Sequence, residues 1–236
     1  MIQQREPFLN NIAKALGRNV NTSRKPELKW KHNPQSSTLI DLSQNELLQL
    51  FKSQCNTIHT DYVVSKVADL KNELKHRVEL NGGGPVSVWK DKRFVEFGLQ
   101  SLILDEWPSS NVVVNEWNPD IGAANIAQAE RSNVGITFSD MTLAETGTVV
   151  LFSNSGKGRS VSILPKTYIA LIPQSTIVPR MTQAAEVISQ KVKNGEAIPA
   201  CINFISGPSN SADIELDPII GVHGPIKATY IIISDR

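Results

Sequence analysis

The stretch YVVSKVADLKNELKHRVELNGGGPVSVW, residues 62–89, reads as a strand, a helix and a second strand in succession. Residues 62–65 are a short apolar run, and apolar side chains then recur at helical spacing from Val67 to Val78. Three glycines end the predicted helix before a second apolar run at residues 86–89. Parallel strands need a crossover of this length, so the stretch predicts a βαβ unit in a mainly parallel sheet.

The alternation of strands and helices continues after this unit. Residues 112–114 are three valines, typical of a strand buried on both faces, and Asn118-Pro119 predicts the start of a helix that runs to residue 127. A weaker helix is expected around residues 94–99 and a clear one at residues 182–193. Further strands are predicted at residues 135–138, 148–152, 161–164, 169–172, 202–205 and 229–233. The fold class is therefore α/β, with an open, mainly parallel sheet flanked by helices.

The N-terminal part has a different character. A short amphipathic helix is predicted between Pro7 and Gly17, followed by a polar segment with an excess of Lys and Arg and no periodicity. We expect residues 1–38 to be an N-terminal helix and basic arm that docks on an acidic partner surface, and residues 39–236 to be a single α/β domain. A capping box at residues 43–46 starts the first helix of that domain.

Composition narrows the classes of function. Lys and Arg number 24 against 23 Asp and Glu, so no global charge favours nucleic acid or an acidic membrane surface. The apolar runs are too short to span a bilayer, and the start MIQQREPF carries an early charge, which together predict a cytoplasmic protein. Cys55 and Cys201 are isolated, which excludes a self-sufficient iron–sulfur cluster or a four-cysteine zinc site. We expect neither a metal site nor a bound cofactor.

A glycine-rich loop, GKGRS at residues 156–160, suggests a phosphate-binding loop. It fails the Walker pattern at two positions, and the GxGxxG fingerprint would need glycine at Val161. The loop is therefore predicted to be the polar tip of a hairpin between residues 148–153 and 159–164. Arg159 in this loop carries a planar guanidinium, which suits a carboxylate or phosphate, so a small organic acid or phosphate-bearing ligand is expected near it.

The C-terminal stretch ISGPSNSADIELDPIIGVHGP, residues 205–225, is rich in glycines, hydroxyls and acids. Three interpretations stay open for it. Ser209 and His223 form a possible nucleophile and base, although the GxSxG elbow is incomplete. The stretch is also consistent with a series of turns whose hydroxyls satisfy backbone amides, or with an anion cradle built of amides and hydroxyls.

Several motifs together closely resemble the lactate-utilisation protein C family. They are GIT at residues 135–137, Asp140, AETGT at 144–148, RS at 159–160, LP at 164–165, ISGPS at 205–209, ADIE at 212–215 and GVHGP at 221–225. The resemblance covers residues 134–236 by motif, with a similar N-terminal helix. It implies a fold like the phosphosugar isomerases and coenzyme A transferases. It also implies a role in oxidising L-lactate to pyruvate with two iron–sulfur proteins as partners.

The motif residues are predicted to line one site. Glu145 and His223 are the candidate catalytic residues. The candidate ligand-binding residues are Asp140, Thr146, Gly147, Thr148, Arg159, Ser160, Ser206, Gly207, Pro208, Ser209, Asp213, Glu215 and Gly224. The favoured function is that of a non-redox subunit of a lactate-oxidising complex, because the chain has nowhere to store two electrons. The alternatives are a free-standing acyl or coenzyme A transferase with Glu145 as nucleophile, and a ligand-sensing assembly module.

Overall fold

The computed structural model describes residues 4–19, 31–211 and 219–235. The chain divides into two compact units, Met1–Ser37 and Thr38–Arg236. The first contains the predicted amphipathic helix, α1 (Arg5–Ala15), and a short 3-10 turn at Pro34–Ser36.

The second unit contains the α/β fold that the sequence predicts. Its helices are α2 (Gln44–Thr57), α3 (Leu70–Leu80), α4 (Arg93–Glu96), α5 (Trp107–Ser109), α6 (Ala124–Arg131), α7 (Ser160–Ile163) and α8 (Met181–Lys193). Its strands are β1 (Asp61–Lys66), β2 (Val86–Val88), β3 (Val114–Glu116), β4 (Val134–Phe138), β5 (Met141–Leu143), β6 (Thr148–Phe152), β7 (Thr167–Pro173), β8 (Ile177–Val178), β9 (Ile202–Ile205), β10 (Asn210–Ser211), β11 (Ile219–Ile220) and β12 (Lys227–Ser234). A π-helical turn, Leu102–Glu106, leads directly into α5.

A parallel sheet forms the centre of this unit. Among the described residues it has six strands in the order β1-β12-β7-β4-β2-β3, and every neighbouring pair is parallel. The strands β7 and β12 are buried along nearly their whole length, as expected for strands covered on both faces. The prediction of an open, mainly parallel sheet is confirmed.

Different layers cover the two faces of this sheet. On one face, α3 and the segment from α4 to α5 pack against alternate strand residues such as Ile169 and Ile231. On the other face, α2 and a second sheet pack against the intervening residues, such as Tyr168 and Tyr230. The capping box at Ser43 is confirmed: Glu46 N donates to Ser43 Oγ, and Ser43 N donates to Glu46 Oε2.

The second sheet is smaller. Within the described part of the chain its strand order is β8-β5-β6-β9, with β6 antiparallel to both β5 and β9. One of its faces packs on the central layers, and the other is covered by Ala184 of α8. Two groups of polar side chains lie at the two ends of β6. Asp140 contacts the Phe152 amide at one end, and the hydroxyls of Thr148 and Ser206 meet at the other.

Two predicted strands are wrong. Residues 112–114 do not form a buried central strand: β3 begins at Val114 and lies at the sheet edge, where Val113 is 59% exposed. Residues 161–164 form the end of helix α7 and the turn after it, so the predicted hairpin with residues 148–153 does not exist. The reason is Gly135 in β4, whose missing side chain lets the backbone of Val161 rest directly on the strand. The helix predicted from Asn118 begins later, at Ala124, after a short capped turn.

Candidate functional site

Two charged residues follow neighbouring strands of the central sheet. Asp91 lies just beyond the carboxyl end of β2, and Asp140 just beyond that of β4. Arg93 bridges them: its Nη2 donates to Asp91 Oδ2 at 2.6 Å and to Asp140 Oδ1 at 2.9 Å, and its Nη1 donates to the Ser139 carbonyl at 2.8 Å. Lys157 reaches the same two carboxylates, with Nζ 3.0 Å from Asp91 Oδ2 and 3.2 Å from Asp140 Oδ1.

This charged cluster, defined as Asp91, Arg93, Asp140 and Lys157, is buried. The Asp91 side chain is 3% exposed and the Lys157 side chain 13%. Burial alone would raise the pKa of the Asp91 carboxyl, but hydrogen bonds and charge from Arg93, with the charge of Lys157, outweigh it and lower the pKa to about 2. Asp91 is therefore ionised at neutral pH, and it faces the side chains of Arg93 and Lys157.

Two tryptophans fix the glycine-rich loop that carries Lys157. Trp89 Nε1 donates to the Gly158 carbonyl at 2.8 Å, and Trp117 Nε1 donates to the Ser155 carbonyl at 2.9 Å. The Lys157 ammonium also lies 5.3 Å from the centroid of the Trp89 ring, within range of a cation–π interaction. The loop is thus tied to the central sheet through backbone carbonyls, and Lys157 points inward.

A cavity of about 410 Å³ adjoins the charged cluster. We call it the charged cavity. Asp140 and Lys157 line it together with Ser153 and Asn154 of the loop, Lys191 of α8 and the segment Ala197–Ala200. Asp140 Oδ2 also accepts a hydrogen bond of 2.7 Å from the Phe152 amide, which ties the carboxylate to the end of β6.

The turn that contains Glu145 lies at the other end of β6. Its carboxylate Oε2 accepts a hydrogen bond of 2.7 Å from Arg180 Nε, just before α8. The hydroxyl oxygens of Thr146 and Thr148 are 2.7 Å apart, and the Thr148 hydroxyl is in turn 2.7 Å from the Ser206 hydroxyl. A chain of three hydroxyls therefore connects the turn with the loop that follows β9.

A second cavity, of about 290 Å³, contains most of the C-terminal candidates. We call it the hydroxyl cavity. It is lined by Ser206, Gly207, Pro208, Ser209, His223 and Gly224, together with Ser162 of α7 and Tyr168 of β7. Ser209 Oγ accepts from the backbone amide of His223 at 3.3 Å, so the contact between these two residues does not involve the imidazole. Burial raises the pKa of the Tyr168 hydroxyl, which therefore stays protonated.

The predicted site residues therefore fall into separate groups. Those of the C-terminal loops share the hydroxyl cavity, and Thr146 and Thr148 join them through Ser206. Asp140 belongs to the charged cluster, and Glu145 is paired with Arg180. Arg159 is exposed and Ser160 begins α7, while Asp213 and Glu215 lie outside the described residues.

Gly147 has a structural position in the Glu145 turn. Its φ is +65°, and a Cβ there would lie 2.8 Å from Ile58 Cδ1. A glycine is needed at this position because other residues adopt positive φ only at a cost. A side chain here would also crowd Gln54 of α2 and Ile58, which follows this helix.

Four residues of these groups escaped sequence reasoning: Asp91, Arg93, Lys157 and Arg180. Asp91 offered a signal, since it follows a predicted buried strand where ligand-binding residues of α/β sheets are found. Lys157 offered none, because Lys157 and Arg159 alternate in one loop and the sequence does not show which of the two points inward.

Within residues 4–19, 31–211 and 219–235, no group of three or more His, Cys, Asp or Glu side chains is arranged to hold a metal ion. Among the helices of the same ranges, none has the length and apolarity needed to cross a bilayer.

Comparisons with known proteins agree with this architecture. The LUD domain family matches residues 48–233. A crystal structure of a DUF162 family protein from Deinococcus radiodurans has the same fold, with a TM-score of 0.57 and 19% identity over 82% of this chain and 99% of that one. The chain belongs to the LUD domain family, which confirms the class that the motifs indicate.

The similarity extends further to particular members of that family. A protein named lactate utilization protein C from Geobacillus sp. strain WCH70 is 55% identical over 235 residues, which is 100% of this chain and 98% of the relative. One of the same name from Bacillus subtilis strain 168 is 52% identical with the same coverage. The resemblance to the lactate-utilisation protein C family is therefore confirmed.

Proposed function

We propose that this chain acts in lactate utilisation, as a subunit that supports oxidation of L-lactate to pyruvate and carries no redox group of its own. Two iron–sulfur proteins are its proposed partners and take the electrons. The proposed location is the cytoplasm. The observation that carries the proposal is similarity over the whole chain, at 55% and 52% identity, to proteins named lactate utilization protein C.

The need for partners follows from the chemistry of the reaction. Converting lactate to pyruvate releases two electrons and two protons, so an acceptor is required. An iron–sulfur cluster is held by about four cysteine thiolates, and the sequence has only Cys55 and Cys201. Burial raises the pKa of the Cys55 thiol to about 12, so this cysteine stays protonated in the core. We therefore assign electron storage to the partners.

A ligand site belongs to the same proposal. The hydroxyl cavity offers the Ser209 hydroxyl, whose oxygen accepts the His223 amide. A hydroxyl group also has one proton that it can donate to a ligand. Hydroxyl and amide donors of this kind suit a small organic acid or a phosphate group. His223 is exposed at the edge of this cavity, where its imidazole is accessible to a ligand.

Purification from cells grown on lactate tests the assembly. The full chain, tagged and expressed from its own promoter, is expected to be recovered with two iron–sulfur proteins, and its deletion is expected to abolish growth on lactate but not on glucose. The matched control is the same purification from glucose-grown cells. Stoichiometric flavin or iron–sulfur absorbance in the lone chain, or lactate oxidation by it with an artificial acceptor, would overturn the proposal.

A further inference from the structure

We propose that the charged cavity binds a short-chain 2-hydroxy carboxylate, with the carboxylate held by Lys157 and Lys191 and the hydroxyl donated to Asp140. This site is separate from the hydroxyl cavity. The choice of a 2-hydroxy acid rests on the proposed function, whereas the preference for a small anion rests on the cavity alone.

The position of the cavity supports a ligand site. Asp140 follows β4 directly, so the cavity opens beyond the carboxyl ends of the parallel strands. Ligands of open α/β sheets bind at that edge, where the strand ends expose loops and backbone groups. The hydroxyl cavity, in contrast, is bordered by Tyr168 near the amino end of β7.

The charges of the lining favour a small anion. Of the three charged residues in the described lining, Lys157 and Lys191 are cationic and Asp140 is anionic, so ammonium groups outnumber carboxylates on the cavity wall itself. Asp91 and Glu196 pair with the two lysines from outside the lining. Lys157 Nζ contacts two carboxylates and has a third proton to donate. Lys191 Nζ is paired with Glu196 at 2.7 Å, with 36% of its side chain exposed, so it can turn toward a ligand at little cost.

The remaining polar groups favour a hydroxyl beside the carboxylate. Asn154 Oδ1 accepts from the Gly156 amide at 2.8 Å, which leaves its amide NH₂ as a further donor for a carboxylate. Asp140 is an acceptor only, and its two oxygens take three hydrogen bonds, from Arg93, Lys157 and the Phe152 amide. A carboxylate has about four acceptor positions, so one remains for a ligand hydroxyl.

The volume is sufficient for such a ligand. A cavity of about 410 Å³ lies within the range of small-molecule sites and holds a short hydroxy acid together with ordered water. The buried cluster behind it keeps Lys157 and Asp140 in place before the ligand arrives, so little side-chain entropy is lost on binding.

Titration of the full chain with L-lactate, propionate and pyruvate tests the assignment by backbone-amide NMR and calorimetry. L-lactate is expected to bind about tenfold more tightly than propionate, which lacks the hydroxyl, or pyruvate, whose carbonyl cannot donate to Asp140. The largest shifts are expected at Ser153, Asn154 and the segment Ala197–Ala200. Shifts confined to Ser209 and His223, or equal affinity for all three acids, would overturn the assignment.

Variants in α8 and in the turn after it make the test independent of the buried cluster. Lys191→Gln is expected to weaken L-lactate binding about fivefold, because one partly exposed cationic contact is lost. Glu196→Gln frees Lys191 from its ion pair and is expected to leave binding unchanged or tighter. Lys193→Gln, on the same helix but outside the lining, should leave it unchanged. Weakening of equal size in all three variants would contradict a specific role for Lys191.

These outcomes are separable from those of the proposed function. A chain that binds L-lactate in the charged cavity but plays no part in growth on lactate would overturn the proposed function and leave this site intact. A chain that assembles with iron–sulfur proteins but binds no hydroxy acid would overturn the assignment of this site and leave the proposed function intact.

Discussion

Gly158 lies against the indole of Trp117 so closely that a Cβ at position 158 would overlap the ring. The neighbouring glycine is constrained as well, since a Cβ at Gly156 would lie 2.9 Å from the Lys90 carbonyl oxygen. Both glycines of the GKG sequence are therefore explained by packing against the residues that follow β2 and β3. The glycines let the loop approach the sheet, and that approach brings Lys157 to the two aspartates.

Gly158→Ala is expected to destabilise the fold by about 1–3 kcal/mol, because the added methyl group forces the Trp117 ring out of its position. Trp117→Ala removes the ring and should make the same methyl group tolerable. The two substitutions are therefore expected to be non-additive by more than about 0.5 kcal/mol in urea unfolding. Additive effects would show that Gly158 is needed for a reason other than this contact.

The pH dependence of stability should report the Asp91 pKa. Its pKa is lowered in the folded state to about 2 from 3.8, so its contribution is fully present above about pH 4 and is lost as the pH falls toward 2. That contribution is about 2 kcal/mol, since each pKa unit corresponds to about 1.4 kcal/mol. Urea unfolding of the wild type at several pH values between about 5 and about 2 measures this loss of unfolding free energy.

Asp91→Asn is the matched variant for this measurement. It is expected to be less stable at neutral pH by about 3–5 kcal/mol, because Arg93 and Lys157 then share one carboxylate in a buried site. Its stability should fall less steeply than that of the wild type over the acid range. Identical slopes for the two proteins would assign the acid sensitivity to other carboxylates.

The alternation of short apolar runs with helical periodicity was enough to predict the central sheet. The strands predicted at β1, β2, β4, β7 and β12 are confirmed. Every residue of β2, β4 and β7 is buried, whereas β1 lies at the sheet edge and is only partly buried. The apolar residues among positions 161–164 predict a strand there. Four residues cannot distinguish one turn of helix from a strand, and the decisive feature, the bare backbone of Gly135, lies in another element.

The candidate site was predicted only in part, for a similar reason. Most of the hydroxyl cavity is formed by two loops that glycines, hydroxyls and His223 mark in the sequence, whereas Ser162 of α7 and Tyr168 of β7 complete it without such a signal. The charged cluster is built from residues distant in sequence, such as Arg93 and Lys157, that meet only after the sheet forms. Charged side chains are normally solvated, so the sequence alone does not indicate that Arg93 and Lys157 are buried.

Thr148→Val should weaken the connection between the Glu145 turn and the hydroxyl cavity. The Thr148 hydroxyl is buried and contacts those of Thr146 and Ser206, so its loss is expected to cost about 1 kcal/mol in urea unfolding. Thr146→Val is the control: this side chain is exposed, and the cost should stay below about 0.5 kcal/mol. Equal costs for the two variants would mean that the Ser206 contact contributes nothing measurable.

Chemical labelling of Glu145 tests the alternative function, a free-standing acyl or coenzyme A transferase. Its carboxylate accepts a hydrogen bond of 2.7 Å from Arg180 Nε, which withdraws electron density from a would-be nucleophile, so we expect no covalent adduct. The full chain is incubated with several acyl-coenzyme A donors, treated with hydroxylamine and analysed by peptide mass spectrometry. Glu145→Gln serves as the control for background labelling, and a hydroxamate at position 145 in the wild type alone would establish the transferase.

Arg159 is expected to contribute to ligand binding and not to the stability of the fold. Its guanidinium is exposed and makes no hydrogen bond or ion pair with the residues that the structure describes, so Arg159→Ala should change the free energy of unfolding by less than about 0.5 kcal/mol. The planar guanidinium suits two-point contact with a phosphate, which a lysine ammonium does not provide. Arg159→Lys is therefore expected to weaken binding of inorganic phosphate by about 1.5–3 kcal/mol, and Arg159→Ala by at least as much. Calorimetric titration of phosphate into the wild type and both variants measures these affinities. Equal affinity in all three proteins would show that Arg159 is a solvated side chain with no role in phosphate binding.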